Sequence, residues 1–316
     1  MSGNRPSRPR SDTSLSGQTG IVAIILTLFL FLSPVFSQVV RTPWQELPLP
    51  AELQDKNVIP HRLAVNQFGD LYLVDNENYW LVLIPGDGSA PRFSGGWGDE
   101  GERFSQVTDI VAAPGLDVIL SDNATHRLLR FDRRLNFVDD LTLNSSRRHS
   151  PLEFPHSISK NRWGEVVIAS SAESELYSLS ARAEIVTVIG DVSYGQDRLM
   201  DVSDIAVSAS GEIAVVDRGT ALLSVFSREG NQLYAVLIDG QDSPEVNSWR
   251  GNWLLTEQSG KCWIVTAKSK HPEPVLQQAK KEREIAVADV DILGDSIYII
   301  DESSGKILTA RLKHLE

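Results

Sequence analysis

Short apolar runs of three to six residues recur along the chain, and glycine, proline, asparagine or charged residues bound most of them. The stretch from residue 93 to residue 140 shows the pattern most plainly, because runs follow one another there at 110–113, 118–120, 126–131 and 136–141. Short β-rich runs between turn residues are typical of an antiparallel meander. The pattern therefore predicts an all-β fold built from short antiparallel strands.

The meander unit repeats along the chain, and its second strand is the clearest marker. The copies are LYLVD, VILSD, VVIAS, IAVVD, CWIVT and IYIID, which end at Asp75, Asp122, Ser170, Asp217, Thr266 and Asp301. A glycine stands before each copy, in a turn that we expect to need positive φ: Gly69, Gly115, Gly164, Gly211, Gly260 and Gly294. A period of about 47 residues with some four strands per unit predicts propeller blades. We therefore expect a six-bladed β-propeller of four-stranded antiparallel blades.

The two ends of the repeat predict how the ring closes. The sixth copy reaches the C-terminus after three strands, and residues 39–46 precede the first full blade. A strand from residues 39–46 would complete the sixth blade and remove an exposed sheet edge that invites aggregation. The fifth copy is unusual, since Pro272 and Pro274 fall where its third strand is expected. We expect that blade to be trimmed or irregular.

Two copies resemble NHL repeats, through GGWGDEGERFSQVTDIV in the second blade and VSDIAV with SGEIAVVD in the fourth. On these residues the chain resembles the NHL-type and TolB-like six-bladed propellers of exported bacterial proteins, from about residue 41 to the C-terminus. The resemblance implies the propeller fold. It says little about a ligand, because one fold serves many functions.

The N-terminal segment has the pattern of an export signal. A polar stretch with three arginines precedes the apolar run at residues 21–36, and Ser37 follows that run. This arrangement predicts a signal peptide at residues 1–37, cleaved after Ser37. An uncleaved membrane anchor at residues 21–36 is the alternative, although the run is somewhat short for a span. We expect residues 38–316 to form a single propeller domain in the periplasm or outside the cell.

Charge and cysteine content narrow the classes of partner. The chain carries a net charge of −12, and residues 1–37 contain three Arg and one Asp, so the remainder carries −14. So acidic a domain is unsuited to nucleic acid, and we expect membrane contact only through an uncleaved N-terminal segment. The single cysteine, Cys262, excludes an intrachain disulfide. About 280 residues suffice for a fold held by burial alone, and we expect a monomer.

The residues that open the first strands are the candidate site, because first strands line the channel of a propeller. By the repeat alignment they are Arg62, Asp109, Ser157, Asp204, Trp253 and Asp289. Carboxylates that converge in a channel raise one another's pKa or bind a cation, which makes Asp109, Asp204 and Asp289 candidate metal ligands. The alternative is that these polar residues bond neighbouring backbone. We expect the second-strand endings on the same face, which would make that face acidic.

Two functions of different classes fit this ring. The first is a non-enzymatic binding module in the cell envelope that holds a protein, peptide or glycan on the acidic face at the channel mouth. It needs no cofactor, and its candidate contacts are Arg62, Asp109, Asp204, Trp253 and Asp289. The second resembles the lactonase-type propellers: a metal-dependent hydrolase, lactonase or lyase with a divalent cation in the channel.

The enzymatic alternative would use His61 or His156 as its base, because both histidines stand beside the ring. Arg62 and Trp253 occupy two of the six ring positions, and Arg62 would disfavour a bound cation. The enzyme therefore ranks second. The glycine pattern at residues 96–101 leads into a strand, not a helix, so it does not predict a dinucleotide site.

Overall fold

Six four-stranded antiparallel sheets build the chain in the computed structural model, each in simple up-and-down order. The structure describes residues 44–312 except 113, 142–152, 173, 183, 191–197, 239–243, 269–270 and 277–283. The first strands of successive sheets contact one another in a closed cycle, and the sixth returns to the first. The predicted six-bladed propeller is confirmed. All described elements fall within the compact unit Val39–Glu316; the predicted signal segment lies outside the described residues.

Three blades form the first half of the ring. Blade one contains β2 (Arg62–Val65), β3 (Leu71–Asp75), β4 (Trp80–Ile84) and β5 (Arg92–Gly95). Blade two contains β6 (Val107–Val111), β7 (Asp117–Asp122), β8 (Arg127–Asp132) and β9 (Phe137–Leu141). Blade three contains β10 (Pro155–Lys160), β11 (Val166–Ser170), β12 (Leu176–Leu179) and β13 (Ile185–Ile189).

Three more blades complete it. Blade four contains β14 (Val202–Val207), β15 (Ile213–Asp217), β16 (Leu222–Phe226) and β17 (Gln232–Leu237). Blade five contains β18 (Glu245–Trp249), β19 (Asn252–Thr256), β20 (Cys262–Val265) and β21 (Glu273–Leu276). Blade six contains β22 (Val287–Leu293), β23 (Ser296–Asp301), β24 (Lys306–Arg311) and the N-terminal β1 (Gln45–Glu46).

The ring closes through the N-terminal strand, as predicted. Gln45 pairs antiparallel with Thr309 and Glu46 with Leu308, and Leu47 donates a further backbone hydrogen bond to Ile307. Pairing of β1 with β24 covers the edge that blade six would otherwise expose. One short helix, α1 (Ala51–Asp55), follows this strand. No helix among the described residues is long and apolar enough to cross a membrane.

The core lies between blades, because both faces of each sheet pack against a neighbour. Four second strands are wholly buried: β3, β11, β15 and, apart from its first residue, β7. Strands buried on both faces read as continuous apolar runs. This burial explains why LYLVD, VVIAS and IAVVD stand out in the sequence as apolar runs that mark the repeat.

Blade five differs from its predicted form. It has all four strands, and Pro274 lies in the fourth strand, so the third strand is not interrupted. Its first and second strands are joined by a two-residue turn in which Arg250 and Gly251 both have positive φ. That is the geometry of a tight type I′ hairpin. Gly260 belongs to the next turn, so the predicted register of this blade is wrong by one strand.

Two matching polar clusters fasten neighbouring blades on the side of the strand 1–2 turns. Arg133 of blade two donates to Asp70 of blade one at 2.5 Å, and its guanidinium lies 4.1 Å from the Phe68 ring centroid. Ninety-five residues later, Arg228 of blade four bonds both oxygens of Glu165 of blade three. Arg228 also stacks on Trp163. All three positions of one cluster are separated from their counterparts by the same 95 residues, so blades three and four repeat the arrangement of blades one and two.

Candidate functional site

The first strands enclose a cavity of about 470 Å³ along the central channel, here called the channel cavity. The polar residues near the start of these strands all line it: Arg62, Asp109, Ser157, Asp204, Glu245 and Asp289. We call these six residues the channel ring. In blades two, three, four and six a register shift precedes the ring residue. Such bulges re-aim a side chain at barrel rims and channels.

Five of the six residues predicted for the ring line the channel cavity, and Trp253 does not. Trp253 lies in β19, the second strand of blade five, where it is 2% exposed within the core between blades four and five. Its indole nitrogen donates to the Tyr234 hydroxyl at 3.1 Å. The ring residue of blade five is Glu245, which the one-strand error in register concealed.

Most ring side chains tie one blade to the next. Asp109 accepts a hydrogen bond from the backbone N–H of Ile158 at 2.6 Å, and Asp204 accepts one from Val246 at 2.7 Å. The same link closes the ring, since Asp289 of blade six accepts from Leu63 of blade one at 2.5 Å. A buried N–H must find an acceptor. The three aspartates therefore serve the backbone.

Ser157 connects two of these aspartates. Its hydroxyl lies 2.8 Å from Asp204 Oδ1 and 3.1 Å from Asp109 Oδ2. It also accepts from the Ile205 N–H at 3.3 Å. One side of the ring is thus a continuous polar network from blade two to blade five.

Arg62 is the one cation of the ring, and its hydrogen bonds go to backbone carbonyls. Nε donates to Thr108 at 2.5 Å, while Nη1 donates to His61 at 2.8 Å and Ala288 at 3.2 Å. Burial lowers the pKa of Arg62, but Asp289, Glu245 and the other ring carboxylates outweigh it, so the pKa is raised. The guanidinium bridges blades six, one and two and remains charged.

The ring carboxyls hold their protons more tightly than exposed acids do. Burial raises the pKa of Asp109 well above its usual value, and the neighbouring Asp204 and Asp289 raise it further. Burial likewise raises the pKa of Glu245, with Asp289 and Asp204 adding to it. Burial is also the largest cause of the raised pKa values of Asp204 and Asp289. Four acids around a single guanidinium cannot all ionise cheaply in such surroundings.

The two histidines occupy different surroundings. His156 lines the channel cavity, and burial, followed by the charge of Arg62, lowers its pKa. His61 does not line the cavity; its Nδ1 accepts from the Asn76 N–H at 3.3 Å. Only His156 is brought to the ring, and it is a neutral imidazole near pH 7. Both catalytic assignments stay predictions.

The predicted metal ligands are not gathered around a common point. In residues 44–312, apart from the gaps given above, no three His, Cys, Asp or Glu side chains are placed to hold a metal ion. Asp109, Asp204 and Asp289 are each directed at a backbone N–H of a neighbouring blade. A divalent cation here would have to displace these bonds and approach Arg62.

The second-strand aspartates do not make an acidic surface, contrary to the prediction. Asp217 is 1% exposed and accepts from the N–H groups of Met200, Asp201 and Gly219, each at 2.9 Å. Asp75, Asp122 and Asp301 are equally buried and also bind the incoming loop and the following turn. These carboxylates therefore hold the loop that enters each blade against the end of its second strand.

A second, smaller cavity of about 230 Å³ lies on the other side of Arg62 and Glu245, which line both cavities. Its further lining includes Thr256, Gln258 and Glu302. We call it the mouth cavity. The channel cavity extends the opposite way, to Gln67, Pro114 and Arg162 in the strand 1–2 turns. The larger cavity therefore extends towards the face opposite to the predicted one.

Comparison with known proteins identifies the architecture. No family model matches the chain, and a search of curated proteins finds no match. Among solved structures, a streptogramin B lyase matches with a TM-score of 0.58 and 11% identity, covering 87% of this chain and 88% of that one. Virginiamycin B lyase from Staphylococcus aureus with quinupristin gives 0.61 and 13%, covering 86% and 100%.

A third solved structure is described as YCF48 bound to D1 peptide. It matches with a TM-score of 0.53 and 13% identity, covering 81% of this chain and 79% of that one. At these identities the likeness concerns the fold alone, and the NHL-type resemblance stays a prediction. Topology, ring closure and these structural neighbours together make the chain a six-bladed β-propeller.

Proposed function

We propose that this propeller is a non-enzymatic binding module that takes a segment of a protein or peptide partner at its central channel. The observation that carries the proposal is the contrast between the acidic side chains of the channel, which bond the backbone, and the cavity that they leave open. The acids that an enzyme would need are used to join blades, while a cavity of about 470 Å³ is left between them. Pockets of this size are typical of ligand sites.

The enzymatic alternative has less support. A hydrolase of the lactonase type needs several carboxylates free to bind one cation, whereas Asp109, Asp204 and Asp289 each accept a backbone hydrogen bond. Arg62 lies among these aspartates, and its charge would repel a divalent ion bound between the three of them. The lyase neighbours share the fold at 11–13% identity, which does not carry an activity over.

The wider end of the channel suits a peptide segment. Three large apolar side chains stand exposed in the strand 1–2 turns of blades one to three: Phe68 at 47%, Leu116 at 59% and Trp163 at 43%. Each lies within two residues of a residue that lines the channel cavity. We call these three side chains the turn rim. Exposed apolar groups beside a cavity are typical of interaction sites.

The kind of partner and the compartment are parts of the same proposal. One structural neighbour is described with a bound peptide, which supports a peptide or protein ligand above a glycan. The predicted signal at residues 1–37 supports a place of action in the periplasm or outside the cell.

The test is a selection of peptides against a channel-blocked control. A displayed library of random heptapeptides is selected on the wild-type protein, and the enriched peptides are measured on Ala209→Trp and Ala172→Trp. Both alanines are exposed, but Ala209 borders the channel cavity and Ala172 lies in a strand 2–3 turn on the other face. The proposal expects binding lost only in Ala209→Trp. Enriched peptides that bind all three proteins equally would contradict it.

A melting experiment tests the enzymatic alternative. Wild-type protein is melted with EDTA and then with calcium, magnesium, zinc or manganese. An ion that binds only the folded state raises the midpoint by mass action. We expect no ion-specific rise. A rise of several degrees with one ion, absent in Asp204→Asn, would instead favour the metal-dependent hydrolase.

A further inference from the structure

The channel wall formed by blade five differs from the walls formed by the other blades. Wherever ring carboxylates or hydroxyls occur in blades two, three, four and six, they accept from the backbone N–H of the next blade. A second tier repeats the arrangement, since Ser159 accepts from Val207 and Asp291 accepts from Val65. Blade five breaks the pattern in both tiers.

Two acceptors of blade five have no donor among the residues that the structure describes. No described residue donates a hydrogen bond to the Glu245 carboxylate, although Glu245 lines both cavities. Two residues on, Asn247 also lines the channel cavity, and its Oδ1 is buried without a hydrogen-bond partner. The amide orientation follows from Nδ2, which points to the Val290 carbonyl at 3.5 Å.

Both acceptors face the same way, because residues i and i+2 of a strand lie on one side of a sheet. The Glu245 carboxylate is partly buried, whereas Asn247 Oδ1 is fully buried; a buried acceptor without a donor is rare in folded proteins and calls for an explanation. One explanation is a ligand that brings the donors. Such a ligand must be rich in N–H groups and tolerate a carboxylate.

Charge points to the same ligand. Four ring acids surround one guanidinium, that of Arg62, whose Nε and Nη1 donate to backbone carbonyls and not to these acids. The nearby Lys160 is also engaged, with Asp117 at 3.3 Å. A second cation in the channel would offset the excess of acid. A guanidinium or ammonium group at the end of a long side chain fits, since its N–H donors can reach both Glu245 and Asn247 along the channel wall.

We propose that the channel cavity binds one basic side chain, arginine or lysine, of the partner peptide, and that Glu245 and Asn247 are its acceptors. This inference rests on the proposed function and makes it specific. Arg62 lies at the boundary between the channel cavity and the mouth cavity. Its positive charge keeps the inserted cation in the part of the channel cavity that faces the turn rim. Glu245 supplies the charge and Asn247 the second acceptor.

The test compares three blocked tripeptides: acetyl-Gly-Arg-Gly-amide, its lysine counterpart and its citrulline counterpart. Citrulline keeps the shape of arginine and removes its charge. Binding to the wild-type protein is measured by calorimetry at low salt, and again on Glu245→Gln and Glu302→Gln. Glu302 lines only the mouth cavity, so Glu302→Gln is the matched control. A melt of each variant confirms that it is folded.

We expect the arginine and lysine peptides to bind at least about tenfold more tightly than the citrulline peptide. Glu245→Gln should remove about tenfold in affinity, because a charge-assisted hydrogen bond is lost, and Glu302→Gln should change little. Equal binding of arginine and citrulline, an unaffected Glu245→Gln, or no binding by any tripeptide would overturn the inference. Library peptides that lack basic residues yet need an open channel would overturn it while leaving the proposed function intact.

Discussion

Asp291 offers a sharp test of the electrostatics of the channel. This carboxyl lies in β22 of blade six, lines the channel cavity and accepts backbone hydrogen bonds from Val65 at 2.8 Å and Ile292 at 2.7 Å. Burial raises its pKa from 3.8 to about 6, against the opposing effect of these two hydrogen bonds. The folded protein therefore binds this proton more tightly than the unfolded chain does.

The sign of the pH dependence follows from that difference. A carboxyl with a raised pKa in the folded state contributes its full stability below about pH 3.8 and loses it as pH rises through about 6. The rise from 3.8 to about 6 corresponds to about 3 kcal/mol in total. About 1 kcal/mol of this is already lost at pH 4.5, so about 2 kcal/mol is lost between pH 4.5 and pH 8.

Replacement of Asp291 by asparagine removes the titration. The amide keeps one acceptor and loses the other, at a cost of about 1 kcal/mol that does not depend on pH. We therefore expect the variant to match the wild type near pH 4.5 and to be about 2 kcal/mol more stable near pH 8.

The assay is urea unfolding of the wild type and Asp291→Asn at pH 4.5 and pH 8, at constant ionic strength. Asp132→Asn is the control, because Asp132 is only partly buried and, although burial opposes it, hydrogen bonds from Asn136 lower the pKa of Asp132. That variant should show no gain in stability at alkaline pH. A stability difference between Asp291→Asn and the wild type that stays constant, or that turns against the variant as pH rises, would refute the reasoning.

Three further predictions follow from buried groups and from the ring closure. Asp217→Ala leaves four backbone N–H groups without their acceptor and should lower the free energy of unfolding by about 3–5 kcal/mol; replacement of the exposed Asp201 by alanine should change it little in the same urea titration. A chain that starts at Pro50 lacks β1 and should self-associate through β24 in analytical ultracentrifugation, whereas a chain that starts at Trp44 should not. Burial raises the pKa of Cys262 to about 12, so a thiol reagent should label it only in denaturant; rapid labelling of native protein would show that β20 is exposed.

Sequence reasoning recovered the ring because burial imposes a regular pattern on second strands. Strands such as β3 and β15 are enclosed on both faces, so their residues must be apolar up to the clamping aspartate. That constraint acts in the same way in most blades. It made blade number, strand order and closure predictable.

The strand register of blade five could not be predicted in this way, for a local reason. A type I′ turn usually carries Asn-Gly or Gly-Gly, and here Arg250 takes the first position with a φ of 51°. The turn therefore has no sequence pattern typical of a two-residue hairpin. The strand after it, NWLLT, ends in threonine, whereas the second strands of most blades end in aspartate. Glu245 was overlooked in favour of Trp253 as a result. An alternation check on EVNSW, with polar Glu245 and Asn247 two residues apart, would have found it.

The roles of the channel acids lay beyond the sequence for a different reason. Their positions follow from the repeat, but their hydrogen-bond partners belong to the next blade. Whether Asp109 binds an ion or the Ile158 N–H depends on the distance between two sheets, and 2.6 Å decides it. No pattern within one blade contains that distance.

The links between ring side chains and the backbone of the next blade also limit how the channel can change over time. Where an acid holds its neighbour, as Asp204 holds Val246, any substitution that alters the ligand site also loosens the ring. Blade five makes no such link from Glu245, and it is joined to blade six instead by an apolar cluster and by bonds outside the channel wall, such as that between Arg250 and Asp295. One wall of the channel is thus free to acquire new specificity while the other walls keep the ring closed.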